Sequence, residues 1–334
     1  MPSSVVVDGF FGDCGKGKVT SHLALRDKAT IVARGGVGPN AGHTVIFRDR
    51  TYRLSQLPSG FVYESARLLI GPGVLVNPNT LLEEVELTRT SERVGVDPNC
   101  GIIEDRHIQE DKTSSHLRGK IGTTGTGCGP AQRDRASRTL KMARDIDSLS
   151  QLVCDVPGEI NDALDEEKSV VLEGSQGTFI SLFHGTYPYV TSKDVTASSI
   201  CADVGLGPKR LDEVILVLKA YVTRVGAGPL ENELTKEEAQ ERGWFEVATV
   251  TGRERRSAPF DYQLAERAVM LNSATQLAVT ALDVLYPKDR GKTRWKDLTE
   301  EGTQFIRGVE EKLNVPVTLI GTGPKTRETV DRTV

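Results

Sequence analysis

The feature that most constrains this chain is a β-branched run that breaks into glycine a few residues after it starts. Val5-Val6-Val7-Asp8 leads into Gly9-Phe10-Phe11-Gly12-Asp13-Cys14-Gly15-Lys16-Gly17-Lys18, and Val19-Thr20-Ser21-His22-Leu23 resumes with a helical pattern. A buried strand, a glycine turn and a helix start form a phosphate cradle, because free helix N–H groups and nearby lysines face one point. Gly12-x4-Gly17-Lys18 matches most of the Walker A pattern, with Val19 where a Ser or Thr would reach magnesium. Asp13 is suited to supply that missing oxygen or to act as a base beside the phosphates. From these residues alone, a glycine turn with solvated lysines is the bland alternative.

The strand signature recurs at Ile31–Ala33, Leu68–Ile70, Val170–Leu172, Val214–Leu218, Leu277–Leu282 and Val315–Ile320. Helical patterns at Thr80–Arg89, Glu159–Glu166 and Phe260–Leu271 lie between several of these runs. The alternation predicts an α/β fold on a mainly parallel central sheet, with ligand-binding loops at the carboxyl ends of the strands. No repeat, low-complexity tract or Pro/Ser linker interrupts the 334 residues, so one continuous domain, 1–334, is expected. At 38% hydrophobic and 26% charged residues, disorder is excluded.

Lys+Arg 42 against Asp+Glu 46 gives −4, without the basic excess that drives phosphate-backbone binding, so no nucleic acid partner is expected. No stretch approaches the ~20 apolar residues of a membrane helix, so no membrane partner is expected either. The cysteines (Cys14, Cys100, Cys128, Cys154, Cys201) are odd in number and form no C-x-x-C pair. That argues against disulfides and structural zinc, and makes the cytoplasm the expected compartment.

A second glycine turn follows the Ile31 run, Arg34-Gly35-Gly36-Val37-Gly38-Pro39-Asn40-Ala41-Gly42-His43-Thr44. A loop histidine there is suited to donate a proton or hydrogen bond to a developing oxyanion, although alone His43 reads as a surface residue. Asp283 and Arg253-Glu254-Arg255-Arg256, taken alone, read as ordinary solvated charge. Cys14 sits beside lysines and a helix start, where a thiolate is favoured, which raises a redox role as a weaker idea.

Gly12-Asp13-x-Gly15-Lys16-Gly17-Lys18 followed by Asn40-Ala41-Gly42-His43-Thr44 resembles the adenylosuccinate synthetase family. Agreement continues in order through Ile121-Gly122-Thr123-Thr124-Gly125, Gly129-Pro130-Ala131, Glu173-Gly174-Ser175-Gln176-Gly177, Gly185–Ser192, Thr223–Pro229 and Thr251-Gly252-Arg253. The length is similar to the compact archaeal form of the family or the phage branch derived from it.

The resemblance implies a P-loop-related fold and a two-step ligase acting on small molecules. GTP phosphorylates O6 of a 6-oxopurine 5′-monophosphate, and the amine of L-aspartate then displaces phosphate at C6. It implies that Asp13 removes the N1 proton and, with the Gly42 carbonyl, holds Mg²⁺, while His43 and Lys16 serve O6 and the transferring phosphoryl. Gln176, Asn40, Thr124, Thr191, Arg253 and Arg138 would hold the purine monophosphate, with the Arg138 counterpart arriving from the neighbouring subunit of a homodimer. Thr251, Arg253 and Arg255 match the loop that grips aspartate. Gly12, Gly15, Lys16, Gly17, Lys18, Gly42, His43 and Thr44 match the GTP phosphate site. Asp283, Gly321 and Gly323 match the guanine site, where a carboxylate accepts from N1–H and the 2-amino group.

The chain departs from the family pattern at Phe10, Phe11, Cys14, Pro39, Glu254, Ser257-Ala258-Pro259 and Ala281. Apart from Ala281, these changes are expected to cluster around the purine and aspartate pocket. That expectation puts dGMP, the substrate of the 2-aminoadenylosuccinate-forming phage branch, ahead of IMP. Asp13 and Asp283, which that branch lacks, argue the other way. A GTP-binding switch or scaffold without ligase chemistry is the reading from another class, and retention of Asp13, His43 and Gln176 speaks against it.

Overall fold

Val5, Val6 and Val7 are buried on both faces because their strand lies near the middle of a nine-stranded sheet. The computed structural model describes residues 3–247 and 252–333. In chain order the strands of this sheet are β1 (Ser3–Asp8), β2 (Ile31–Arg34), β3 (Arg67–Ile70), β4 (Val94–Val96) and β5 (Val170–Glu173). β6 (Glu213–Lys219), β7 (Gln276–Thr280), β8 (Val317–Gly321) and β9 (Thr329–Asp331) complete it. Across the sheet they run β9-β8-β7-β6-β1-β5-β2-β3-β4. Every pairing is parallel except that of β9, which returns antiparallel along β8 at one edge. Strands covered on both faces need continuous apolar runs, which is why they read so clearly in the sequence.

All seven predicted runs fall in this sheet. The run predicted to reach Leu282 stops at Thr280, because Ala281 turns to φ 58° and Leu282 opens the short helix Leu282–Leu285. The three predicted helices appear as Pro78–Thr88, Val156–Asp165 and Tyr262–Asn272. Each starts at a side-chain cap, Asn77, Asp155 or Asp261, that accepts an N–H from the first turn. His43, expected in a loop, instead opens the strand His43–Phe47, which pairs antiparallel with Arg50–Leu54.

β1 lies between β5 and β6, so the chain winds away from it in both directions across the sheet. Such a switch point leaves a crevice at the carboxyl ends of the strands. The first helix, α1 (Lys16–Arg26), starts there at Gly15, φ 90°, with no side-chain cap. Its first N–H groups therefore face the loop. No helix among the described residues is long and apolar enough to cross a membrane.

Candidate active site

Asp8, the last residue of β1, shapes the first loop. Its Oδ1 accepts from the N–H of Phe10 at 2.9 Å, the N–H of Gly12 at 3.2 Å and the Cys14 thiol at 3.1 Å. Its Oδ2 accepts from the Cys14 N–H at 3.0 Å and from Lys16 Nζ at 3.1 Å. The carboxylate thus gathers the turn while Gly12, Asp13 and Gly15 sit at φ 91°, 60° and 90°, a region costly for residues with a Cβ. A Cβ on Gly15 would also press to 3.3 Å from Thr280 Cγ2. The sequence reading missed Asp8; a lone carboxylate closing an apolar strand ahead of a glycine turn was the available signal.

Asp13 projects from that turn into a cavity of about 580 Å³. Gly12, Gly15, Lys16 and Gly17 line it from the first loop, and Asn40, Gly42, His43 and Thr44 from the second. Thr124, Gln176, Thr191, Arg253 and Arg255 close the other walls. Gln176 Nε2 donates to Asn40 Oδ1 at 2.9 Å, and Asn40 Nδ2 donates to Thr191 Oγ1 at 3.2 Å, so three predicted purine-site residues form one chain. Lys16 Nζ also donates to the Gln176 carbonyl, which ties the first loop to that chain.

His43 is buried, with Nδ1 2.5 Å from Glu173 Oε1 and 2.6 Å from Arg34 Nη1. Burial and the Arg34 charge push its imidazole down to about 4, so the ring is neutral at neutral pH. Glu173 is held at about 2; burial opposes its charge, but His43 and Arg34 outweigh it. Neither Arg34 nor Glu173 was given a role from sequence. A neutral ring carries one N–H, and with Nδ1 accepting from Arg34 Nη1 that proton sits on Nε2, which leaves a neutral donor rather than a cation.

Lys18 differs from expectation. Instead of lining the cavity, its Nζ donates to the carbonyls of Gly323 at 2.5 Å and Glu328 at 2.6 Å. A Cβ on Gly321 would lie 3.0 Å from that nitrogen, and the charge of Asp283 acts on it. Lys18, Asp283, Gly321 and Gly323 therefore form a separate cluster on the far side of α1's first turn.

Arg253 Nη1 donates to the Gly122 carbonyl at 2.6 Å, and Arg255 Nε lies 3.0 Å from Asp13 Oδ2. Among the described residues, neither Nε–H of these arginines has an aligned hydrogen-bond acceptor. Buried guanidinium donors turned to a cavity suit carboxylates. Thr251 lies outside the described residues. Arg138 is exposed at the end of the helix Cys128–Ser137 and does not line this chain's cavity.

Two expectations are corrected. The departures from the family pattern do not cluster around the pocket: of those positions, Phe11 alone lines the cavity. Phe10 is buried against Phe260 at 5.5 Å, and Ser257 and Ala258 are buried in the strand Glu254–Ala258. Cys14 is no reactive thiol, since burial and then the Asp8 charge push it well above the ordinary thiol range.

The sequence profile described as adenylosuccinate synthetase matches residues 5–146 and 139–290. The chain belongs to the adenylosuccinate synthetase family. An adenylosuccinate synthetase of Archaeoglobus fulgidus is 53% identical over 331 residues, covering 99% of this chain and 98% of that protein. One from Methanocaldococcus jannaschii is 51% identical over 334 residues, covering 99% and 97%. Among solved structures, a fully ligated adenylosuccinate synthetase from Plasmodium falciparum superposes with TM-score 0.91 at 25% identity, over 98% of this chain and 99% of that one. A cyanophage S-2L succinoaminodeoxyadenylate synthetase bound to dGMP and dATP gives TM-score 0.80 at 25% identity, over 99% and 95%.

Family membership makes this a carbon–nitrogen ligase that converts GTP to GDP and phosphate and uses Mg²⁺. No group of three or more His, Cys, Asp or Glu that would hold a metal unaided occurs among the described residues. Mg²⁺ characteristically takes one or two protein oxygens together with substrate phosphates and water. The Asp13 carboxylate and Gly42, lining one cavity, fit such a nucleotide-completed site.

Proposed function

We propose that this protein condenses L-aspartate with C6 of IMP, through a 6-phosphoryl intermediate, to form adenylosuccinate. The observation that carries the choice of IMP is that Phe11 alone, of the departures from the family pattern, lines the cavity. Substitutions that do not line the cavity, whether buried like Phe10 and Ala258 or exposed like Glu254, give a pocket little means of selecting a 2-amino group. The whole-length similarity to the archaeal adenylosuccinate synthetases supports the same substrate. The chain acts as one unit, 1–334, in the cytoplasm.

Asp13 takes the N1 proton, which makes O6 nucleophilic toward the γ-phosphoryl of GTP. His43, neutral with Nδ1 accepting from Arg34 Nη1, donates a hydrogen bond from Nε2–H where charge develops on O6 and the transferring group, and Lys16 adds positive charge. Asp13 and the Gly42 carbonyl would hold Mg²⁺, which when bound would supply neutralisation of phosphate charge. Gly12, Gly15, Gly17 and Thr44 bring loop and first-turn groups to the phosphates of GTP. Asp283 accepts from guanine's N1–H and 2-amino group; Lys18, Gly321 and Gly323 hold that end of the site together. Gln176 holds the purine edge, while Asn40, Thr124, Thr191 and Arg253 surround the monophosphate. The exposed Arg138 completes the neighbouring subunit's site in a homodimer. Thr251, Arg253 and Arg255 grip the carboxylates of aspartate, whose amine then displaces phosphate.

The test is phosphate release with product mass, using GTP, Mg²⁺ and L-aspartate with IMP, GMP or dGMP in separate reactions, and ATP in place of GTP. IMP is expected to turn over fastest, with GTP preferred. A second reading, dGMP, is favoured by Phe11 in the cavity wall and by the fold shared with the dGMP-bound phage enzyme. Faster turnover of dGMP would select it.

A further inference from the structure

Behind the cavity wall, two charges that the reaction above does not use, Lys219 and Glu246, lead to Arg255. Glu246, on the strand Glu246–Val247, is the cross-strand partner of Arg255 on Glu254–Ala258. Glu246 Oε2 accepts from Arg255 Nη1 at 2.5 Å. Its Oε1 accepts from Lys219 Nζ at 2.5 Å and from the Tyr221 hydroxyl. Lys219 is the last residue of β6 and is 4% exposed, so this carboxylate is fastened to the end of the central sheet. Tyr221 is fully buried and stacks on Trp244 at 4.9 Å, which fixes its hydroxyl in turn.

From the sheet to the cavity the charges alternate: Lys219, Glu246, Arg255, Asp13. One guanidinium is shared between two carboxylates. Its Nη1 is fully committed to Glu246, whereas its Nε lies 3.0 Å from Asp13 without hydrogen-bond alignment. Without Glu246, Asp13 would be the only one of these two carboxylates left to attract Arg255. The guanidinium would then close onto Asp13 and withdraw its fork from any incoming anion.

We propose that Glu246 is a positioning residue for the second substrate: it holds Arg255 by Nη1, so that Nε, though 3.0 Å from Asp13, makes no aligned hydrogen bond to it and the remaining donors stay open to a carboxylate of aspartate. The inference rests on the proposed role of Arg255 in gripping that carboxylate. Glu246 touches no reacting atom and acts through Arg255. Lys219 and Tyr221 act through Glu246, by holding its other oxygen.

The experiment is steady-state kinetics on the full chain, varying aspartate, IMP and GTP in turn, for wild type, Glu246→Gln, Glu246→Asp and Tyr221→Phe. Glu254→Gln, next to Arg255 on its strand, loses only an exposed pair with Lys236 of the helix Lys236–Glu241; it is the control and should match wild type. Glu246→Gln is expected to raise KM for aspartate by about tenfold, the size of one charge-assisted hydrogen bond, with KM for IMP and GTP changed less than about twofold. Glu246→Asp should recover part of that loss, and Tyr221→Phe should raise the aspartate KM alone, by about threefold. A parallel rise in all three constants, or a fall in kcat and melting temperature with the aspartate KM unmoved, overturns the proposal and makes Glu246 a structural brace. If Glu246→Gln does not fold, Tyr221→Phe, which keeps the ring, decides by the same criterion. Failure of the underlying reading is separately visible, because wild type would then release no aspartate-dependent phosphate.

Discussion

Lys18 works against the stability of the fold that holds it. Burial pushes its ammonium down to about 8, against the opposing charges of Asp283 and Glu328. A lysine lowered in the folded state contributes stability that is full above its unfolded value near 10.4 and is lost as pH falls through the folded value. At neutral pH the charged form therefore costs about 3 kcal/mol. Lys18→Met is expected to melt at or above the wild-type temperature at neutral pH, the gain limited because the carbonyls of Gly323 and Glu328 lose their donor. Its KM for GTP should rise about tenfold or more, from the lost cation at the guanine end. A melt several degrees below wild type would show that the two hydrogen bonds outweigh the desolvation. Asp8 is the opposite case. Asp8→Asn leaves Lys16 without its buried counter-charge and is expected to cost about 3 kcal/mol in urea unfolding. A loss below about 1 kcal/mol would mean that the glycine turn stands without its anchor. Asp13, His43 and Gln176 were legible in the sequence because each sits in a motif whose chemistry requires it. Glu173 was not assigned a role because the histidine it meets lies 130 residues away in the chain, and Asp8, Arg34 and Glu246 were given none because a lone charge outside a motif does not show which nearby group it braces. Phe10 and Cys14 misled for another reason: they lie in the same loop segment as Asp13, but their side chains are buried in the core.

At the scale of elements, strands buried on both faces were readable and edges were not. Thr329–Asp331 is short and mixed in polarity, yet it closes the sheet and clasps α1. Asp331 Oδ2 lies 3.1 Å from His22 Nε2 and accepts from Arg26 Nη1 at 3.1 Å, both residues of α1. Burial opposes the Asp331 charge, but the bonds from His22 and Thr333 and the Arg26 charge hold its carboxyl below the usual range. A depressed carboxyl contributes stability that is present above the unfolded value near 3.9 and lost as pH falls below it. Asp331→Asn is expected to lower stability by about 1–2 kcal/mol at neutral pH and to flatten the loss of stability between about pH 4 and pH 2. Denaturant unfolding across that range checks it; an unchanged slope would remove Asp331 from the account. The start of α1 was legible from its glycines and lysines, but the distant segment that anchors its far end was not.

For the whole molecule, the α/β class and mainly parallel sheet followed from the order of apolar runs, whereas the proposed sharing of a site between subunits has no local signature. Arg138 stands exposed and outside its own cavity. If it serves the neighbouring subunit, Arg138→Ala and Asp13→Ala are each inactive, but mixing them regenerates sites that take Asp13 from one chain and Arg138 from the other. Random exchange of equal amounts should restore about a quarter of wild-type activity, since half the dimers are mixed and one of their two sites is intact. No recovery after verified exchange would confine each site to one chain. The placement of β1 between β5 and β6 also bears on how the chain is made. A ribosome releases the Val5–Val7 segment well before its hydrogen-bonding neighbours, which begin at Val170 and Glu213. At roughly 5–20 residues per second, an apolar strand with both edges bare waits about ten seconds or more for the first of them. The nucleotide cradle is translated well before the strands that flank it, and is completed only once they have joined the sheet.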